Sequence, residues 1–193
     1  MIRLYRAPWS TNVERVTLAL AHKGLEAESV WIDYSDRSEV EALSGQGLVP
    51  VIDDDGTVVH DSLAILRHLE ERWPERRLFP ADPARRAELD LFLDWFDRVW
   101  KHAPNAIEAD PSLTGELAGV MERHLDLFES MLHGRDFLMG DGLSAADCAA
   151  HPFLKYALSR DREDDEPFHV ILDAHQSADG RPNLTSWISR IAA

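Results

Sequence analysis

The order of elements written into residues 2–65 constrains the fold of this chain more than any other feature. A short apolar strand signal, Ile2-Arg-Leu-Tyr-Arg6, leads straight into an amphipathic helix signal from about Thr11 to Lys23. Val13, Val16, Leu20 and Ala21 recur there at helical spacing, and Gly24 supplies the stop. Further on, Gly47-Leu-Val-Pro-Val-Ile-Asp-Asp-Asp-Gly-Thr-Val-Val-His-Asp-Ser-Leu-Ala-Ile65 reads as strand, Asp-Gly turn, strand, and a helix beginning at Asp61 or Ser62. Together with the strand–helix–strand before it, this describes one small α/β domain.

The first strand-to-helix turn holds the residue with the most chemistry in it. Thr11 and Glu14 have the spacing of a capping box, hydroxyl and carboxylate each taking one orphan backbone N–H. That arrangement leaves Ser10 one residue outside the helix, its hydroxyl uncommitted and the positive end of a helix dipole beside it. Such a hydroxyl can steady a thiolate. Taken alone, Ser10 serves equally well as a plain turn residue.

A turn-rich stretch, Trp73-Pro-Glu-Arg-Arg-Leu-Phe-Pro-Ala-Asp-Pro83, then separates the α/β part from an all-helical part. Asp82 and Pro83 read as N-cap and first position of a helix running to about His102. Its apolar residues, from Ala87 and Leu89 through Phe96 to Val99 and Trp100, sweep roughly 200° of the helical wheel, against the ~100° stripe of an ordinary surface helix. Leu91, Trp95 and His102 share one edge of that arc. A second helix spans about Leu113 to His133, with Leu117, Val120, Met121, Phe128 and Met131 as its core face. Ser144 and Asp147 form a capping box for a third, which contains Pro152. The run Asp161-Arg-Glu-Asp-Asp-Glu166 reads as a solvated loop. A last helix at Arg181–Ile191 turns Leu184, Trp187, Ile188 and Ile191 inward.

Composition excludes several functions. The formal charge is −15, which repels nucleic-acid phosphates and anionic lipid. No stretch is apolar enough to span a bilayer, and the N-terminus has no signal-peptide core, so the expected compartment is the cytoplasm. Cys148 is the only cysteine, which rules out an intrachain disulfide and a Cys-x-x-Cys redox pair; among its alanine neighbours it reads as a small buried thiol. The histidines have no metal-ligand spacing, and His22, His60, His68, His124, His133 and His175 are expected at solvent or at helix boundaries. No metal is expected.

Ser10, Val49-Pro50 and Asp61-Ser62 match, in order and spacing, three elements of the cytosolic glutathione transferases, which this chain resembles over nearly its whole length. The resemblance implies an α/β thioredoxin-like N-terminal domain (residues 1–75) followed by an all-α C-terminal domain (residues 83–193). It implies a cis Val49-Pro50 peptide whose backbone pairs with glutathione, with Asn12 and Leu48 beside it. It also implies that Asp61 and Ser62 hold the γ-glutamyl end and that Ser10 faces the sulfur. The alternative for Asp61 and Ser62 is a plain N-cap pair. Leu48 stands where the family often has a polar side chain, in Ser44-Gly-Gln-Gly-Leu-Val-Pro50. Ser10-Thr11-Asn12 lacks the cysteine of the zeta-type isomerases and is closer to the phi, tau and theta types.

The chemistry that follows is modest in energy. Lowering a thiol pKa from about 8.5 by about two units requires roughly 2.7 kcal/mol. A charge-assisted hydrogen bond from Ser10 supplies about 1.5–3 kcal/mol and the helix dipole about 0.3–1. The expected function is conjugation of glutathione, as co-substrate, to a small hydrophobic electrophile held by Pro8, Trp9, Trp95, Val99 and His102 in a cleft between the domains. A glutathione-dependent lyase or peroxidase, or a non-catalytic binding protein on the same fold, are the alternatives. The over-wide apolar arc points to a homodimer that uses one edge of the Pro83–His102 helix and the Asp61 helix of the other subunit.

Overall fold

A computed structural model describes residues 1–140 and 142–192. The chain divides into two compact units, Met1–Pro80 and Ala81–Ala193, whose last residue lies outside the described residues.

The first unit is built on a four-stranded sheet. Strands β1 (Ile2–Arg6), β2 (Ala27–Trp31), β3 (Val51–Asp54) and β4 (Thr57–His60) lie in the order β2-β1-β3-β4. β1 pairs parallel with β2 and antiparallel with β3, and β3 pairs antiparallel with β4. The central position of β1 explains its burial at Ile2, Leu4 and Tyr5. Asp55 (φ 49°) and Gly56 (φ 92°) make the two-residue turn between β3 and β4, where a primed hairpin turn requires positive φ at both positions.

Helices α1 (Thr11–Lys23), α2 (Ser38–Ser44) and α3 (Ser62–Arg72) complete the unit. α1 has the predicted bounds, and Gly24 closes it in the left-handed conformation (φ 69°), its N–H returning to Ala21 and Leu20 carbonyls. Val13, Val16 and Leu20 are buried, whereas Ala21 is exposed. A second stripe, Thr11, Arg15, Ala19 and Lys23, is buried as well. Two of its members are cations, which the apolar pattern had no means of placing.

The second unit begins with α4 (Pro83–Trp95), capped by Asp82, whose carboxylate accepts from Arg85 N at 3.0 Å. The helix does not stop at His102 as expected. It passes through a π-helical turn (Phe96–Trp100) into α5 (His102–Ala109). Pro104 lies in the first turn of α5, and the backbone stays helical across the junction at Lys101 (φ −68°, ψ −14°). The remaining helices are α6 (Thr114–Met131), α7 (Ala145–Leu154), α8 (Pro167–His175) and α9 (Pro182–Ala192).

The core of this unit is aromatic. Phe96 stacks on Trp100 at 4.5 Å, and Phe92, Phe128 and Phe153 pack around Phe96. Met121, Leu125 and Phe128 are the buried face of α6, while Leu117, Val120 and Met131 are half-buried. Cys148 is buried. In the Ser144/Asp147 capping box the Asp147 carboxylate accepts from Ser144 N and Oγ, Leu138 N and Trp187 Nε1, at 2.7–2.9 Å. Burial pushes that carboxyl up, against the pull of these donors.

The acidic run 161–166 is only partly a solvated loop. Asp164 is buried, accepting from Tyr156 Oη at 2.8 Å and pairing with His169 Nδ1 at 2.9 Å. Four of its neighbours in the run are charged and exposed, so composition alone hides it.

Candidate functional site

The register of the sheet brings the three elements of the site to one end. Tyr5 pairs with Val51, and Val51 pairs with His60. The turn after β1, the residues leading into β3 and the residues following β4 therefore all leave the sheet at the same edge. Ser10, Val49-Pro50 and Asp61-Ser62 occupy those three segments, and the Val49-Pro50 bond is cis.

Ser10 is the first correction. The N-cap of α1 is Ser10, not Thr11: Ser10 Oγ accepts from Val13 N at 3.3 Å, and Thr11 is the first helical residue, buried. A seryl oxygen has one proton to give and two lone pairs. Capping uses a lone pair and leaves the proton for a ligand. The hydroxyl thus stays a donor, held directly at the positive end of a 13-residue helix. Trp9 before it adopts φ 58°, and Asp61 adopts φ 72°, left-handed positions rare for non-glycine residues. Both immediately precede a candidate ligand-facing serine.

At α3 the cap and the binding role coexist. Asp61 Oδ1 accepts from Leu63 N and Ala64 N at 3.0 Å each, leaving Oδ2 outside both cap bonds. The N–H groups of Leu63 and Ala64 are therefore committed to the cap. Ile65 N bonds to Asp61 O, and Ser62's own N–H is engaged by none of these. Ser62 is buried, and its Oγ accepts from Arg15 Nη1 at 3.2 Å. Arg15 is 1% exposed and was missed by sequence reasoning. Its only signal was a position four residues from Thr11 and Ala19, on a face with no exposed outlet.

Leu48 presents its side chain outward, 67% exposed. Its backbone is held by Gln46, which accepts from Leu48 N at 2.7 Å and donates to Leu48 O at 2.9 Å. Asn12 is half-buried in the first turn of α1.

Of the residues assigned to the electrophile, Trp95, Val99 and His102 do not share one edge of their helix. Pro8 and Trp9 are exposed in the turn after β1. In the second unit Trp95 packs on Phe92, Phe128 and the ring of His124, and it lines a groove of about 430 Å³ with Leu91, Leu127 and Met131. Val99 and His102 are exposed and take no part in that groove. The π turn between them is the reason: one extra residue per turn shifts the helical phase by about 100°. His124 is likewise half-buried rather than at the surface, and burial lowers its pKa.

The sheet order and the cis proline at the head of β3 define a thioredoxin-like domain, followed in sequence by an all-helical one. The chain matches the family models for the glutathione S-transferase N-terminal domain over residues 4–77 and C-terminal domain over residues 97–193. It is 31% identical to FtsZ-localized protein A of Caulobacter vibrioides over 76% of this chain and 73% of that protein. It is 27% identical to glutathione S-transferase GstB of Escherichia coli, covering 99% and 93%. A glutathione S-transferase from Rhodospirillum rubrum superposes with a TM-score of 0.78 at 26% identity, covering 100% of this chain and 88% of that one. The chain belongs to the glutathione S-transferase superfamily. Among the described residues no helix is long and apolar enough to cross a membrane.

Proposed function

We propose that this protein is a glutathione transferase in which Ser10 holds the glutathione thiol as a thiolate for attack on a small hydrophobic electrophile. The observation that carries the reading is the state of the Ser10 hydroxyl. Its lone pair is anchored by Val13 N–H, so its proton is aimed by the cap and available to a sulfur anion. Asp61 Oδ2 suits the γ-glutamyl ammonium, Ser62 suits the adjacent carboxylate, and the backbone at Val49-Pro50 suits the peptide. Glutathione supplies the nucleophilic sulfur; the protein binds it, orients it and stabilises its charge. The cytoplasm is the compartment this reading places it in.

The test is conjugation of glutathione to a chloronitrobenzene. Ser10→Ala is expected to lower turnover tenfold or more, about 1.4 kcal/mol, with glutathione affinity changed far less. Unchanged turnover removes Ser10 from the mechanism.

A second reading, a non-catalytic binding protein on this fold, is favoured by exposed Leu48 and by the relative whose name places it at FtsZ. Retention on glutathione-agarose separates the two, since the second reading predicts none.

The protein is further read as a homodimer. Leu91 (71% exposed) on α4 and Leu127 (43% exposed) on α6 line one apolar groove that the helical unit leaves uncovered, and an uncovered apolar surface favours a self-complementary two-fold contact.

A further inference from the structure

We infer that the groove between α1 and the edge strand β2 is a binding site for a small monocarboxylate with a compact apolar body. The parallel register of β1 and β2 sets Arg6 beside Trp31 and Leu4 beside Ser29. Side chains alternate along each strand, so these four share one face of the sheet. There Leu4, Arg6 and Ser29 line a groove of about 180 Å³ with Thr17 and Leu20 of α1 and Leu25 just after it. All of these residues belong to the first unit, and none belongs to the Ser10 site.

Arg6 is the polar anchor, and the protein itself serves it poorly. Its Nε is shut from solvent with no hydrogen-bond partner among the described residues. Its Nη1 reaches Ser29 Oγ only at 3.5 Å, the outer limit of a hydrogen bond. The guanidinium is held against the exposed Trp31 ring, with Cζ 4.6 Å from the centroid. Buried donors are nearly always satisfied, so an orphaned one points to an acceptor from outside the chain. A carboxylate matches the guanidinium fork with two parallel bonds. Ser29, which accepts from Arg6, keeps its own proton to donate to that carboxylate. One guanidinium above three leucines suits a single negative charge on an apolar body, whereas a phosphate leaves the leucines uncovered. At ~30 Å³ per water the groove has room for about six waters, the size of one ring or a short branched chain.

The test titrates the isotope-labelled full chain with benzoate and follows the Arg6 Nε–H resonance, assigned by its loss in Arg6→Lys. Benzoate should move that resonance saturably, together with the amides of Leu20 and Leu25. Benzyl alcohol keeps the ring without the charge, and inorganic phosphate keeps charge without the ring. Each should bind at least about fivefold more weakly than benzoate. Ala27→Leu, which fills the groove and leaves Arg6 in place, should weaken benzoate by a similar factor. The absence of a saturable shift, or equal binding of either control compound, would overturn the inference. So would undiminished benzoate binding by a folded Ala27→Leu protein. The three compounds are compared on the wild type, so the outcome is decided even where a variant fails to fold.

Discussion

Lys23 Nζ lies 2.8 Å from Glu70 Oε2, with the lysine side chain 0% exposed. The same ammonium donates to Trp73 O at 2.7 Å, and Glu70 Oε2 also accepts from Leu78 N at 2.9 Å. One ion pair therefore joins the end of α1, the end of α3 and the stretch that leaves the first unit. Removing one partner strands the other charge in the interior, which costs about 3–5 kcal/mol. Lys23→Met should lose about that much in urea unfolding, and adding Glu70→Gln should restore part of it. A loss under about 1 kcal/mol would mean that the pair is effectively solvated.

Ser10 combines a cap with a proposed chemical role, and glycine separates them. Glycine caps nearly as well as serine, so Ser10→Gly should stay within about 0.5 kcal/mol of wild type. Its turnover with chloronitrobenzene should nevertheless fall tenfold or more. A Gly variant as active as wild type would show that the hydroxyl does no chemistry.

Asp147 is a matter of stability alone. Four donors converge on a carboxylate with no exposed surface, and Asp147→Ala leaves them unsatisfied. The expected cost is about 3 kcal/mol or more, measured by urea unfolding, while the folded fraction keeps its turnover. An inactive but fully stable variant would contradict this.

Asp164 should leave a mark on acid stability. Burial raises its pKa, but the bonds from His169 and Tyr156 outweigh burial and hold it below the usual carboxylate range. A carboxylate depressed in the fold contributes stability that is present above its unfolded pKa, about 3.9. That stability is lost as pH falls through the lower folded value. The stability gap between wild type and Asp164→Asn should therefore shrink as pH falls from about 5 toward 2.5. A gap that does not change with pH would show that Asp164 contributes only by shape.

Light scattering at low micromolar concentration should return twice the 21.8 kDa chain mass for the wild type. Leu91→Glu should shift it to the monomer. The −15 charge opposes pairing, yet at physiological salt that repulsion is confined to about 8 Å. A monomeric wild type would refute the dimer and leave exposed Leu91 without a partner.

Much of the site was legible because it is local. Asp55-Gly56 can be little other than a tight turn, Asp82-Pro83 little other than a helix start, and Ser144 with Asp147 satisfy each other within one turn. The order of Ser10, Val49-Pro50 and Asp61-Ser62 was likewise open to reading, and the pairing of Tyr5, Val51 and His60 turns that order into a shared edge.

The sequence by itself determined the elements and their order, since helical and strand periodicities, turn pairs and caps act over a few neighbouring residues. Only the tertiary structure decided between competitors of equal local merit. The cap read onto Thr11 falls to Ser10, whose Oγ accepts from Val13 N while Thr11 is buried as the first helical residue. Trp95 and His102 shared an edge until a π turn changed the phase between them. Nothing local places Arg15 and Lys23 of α1, yet each meets a partner on α3 that is 47 residues away. The equal offset follows from two helices running side by side in the same direction. A charge is buried when a distant partner can satisfy it, and no local pattern carries that partner's address.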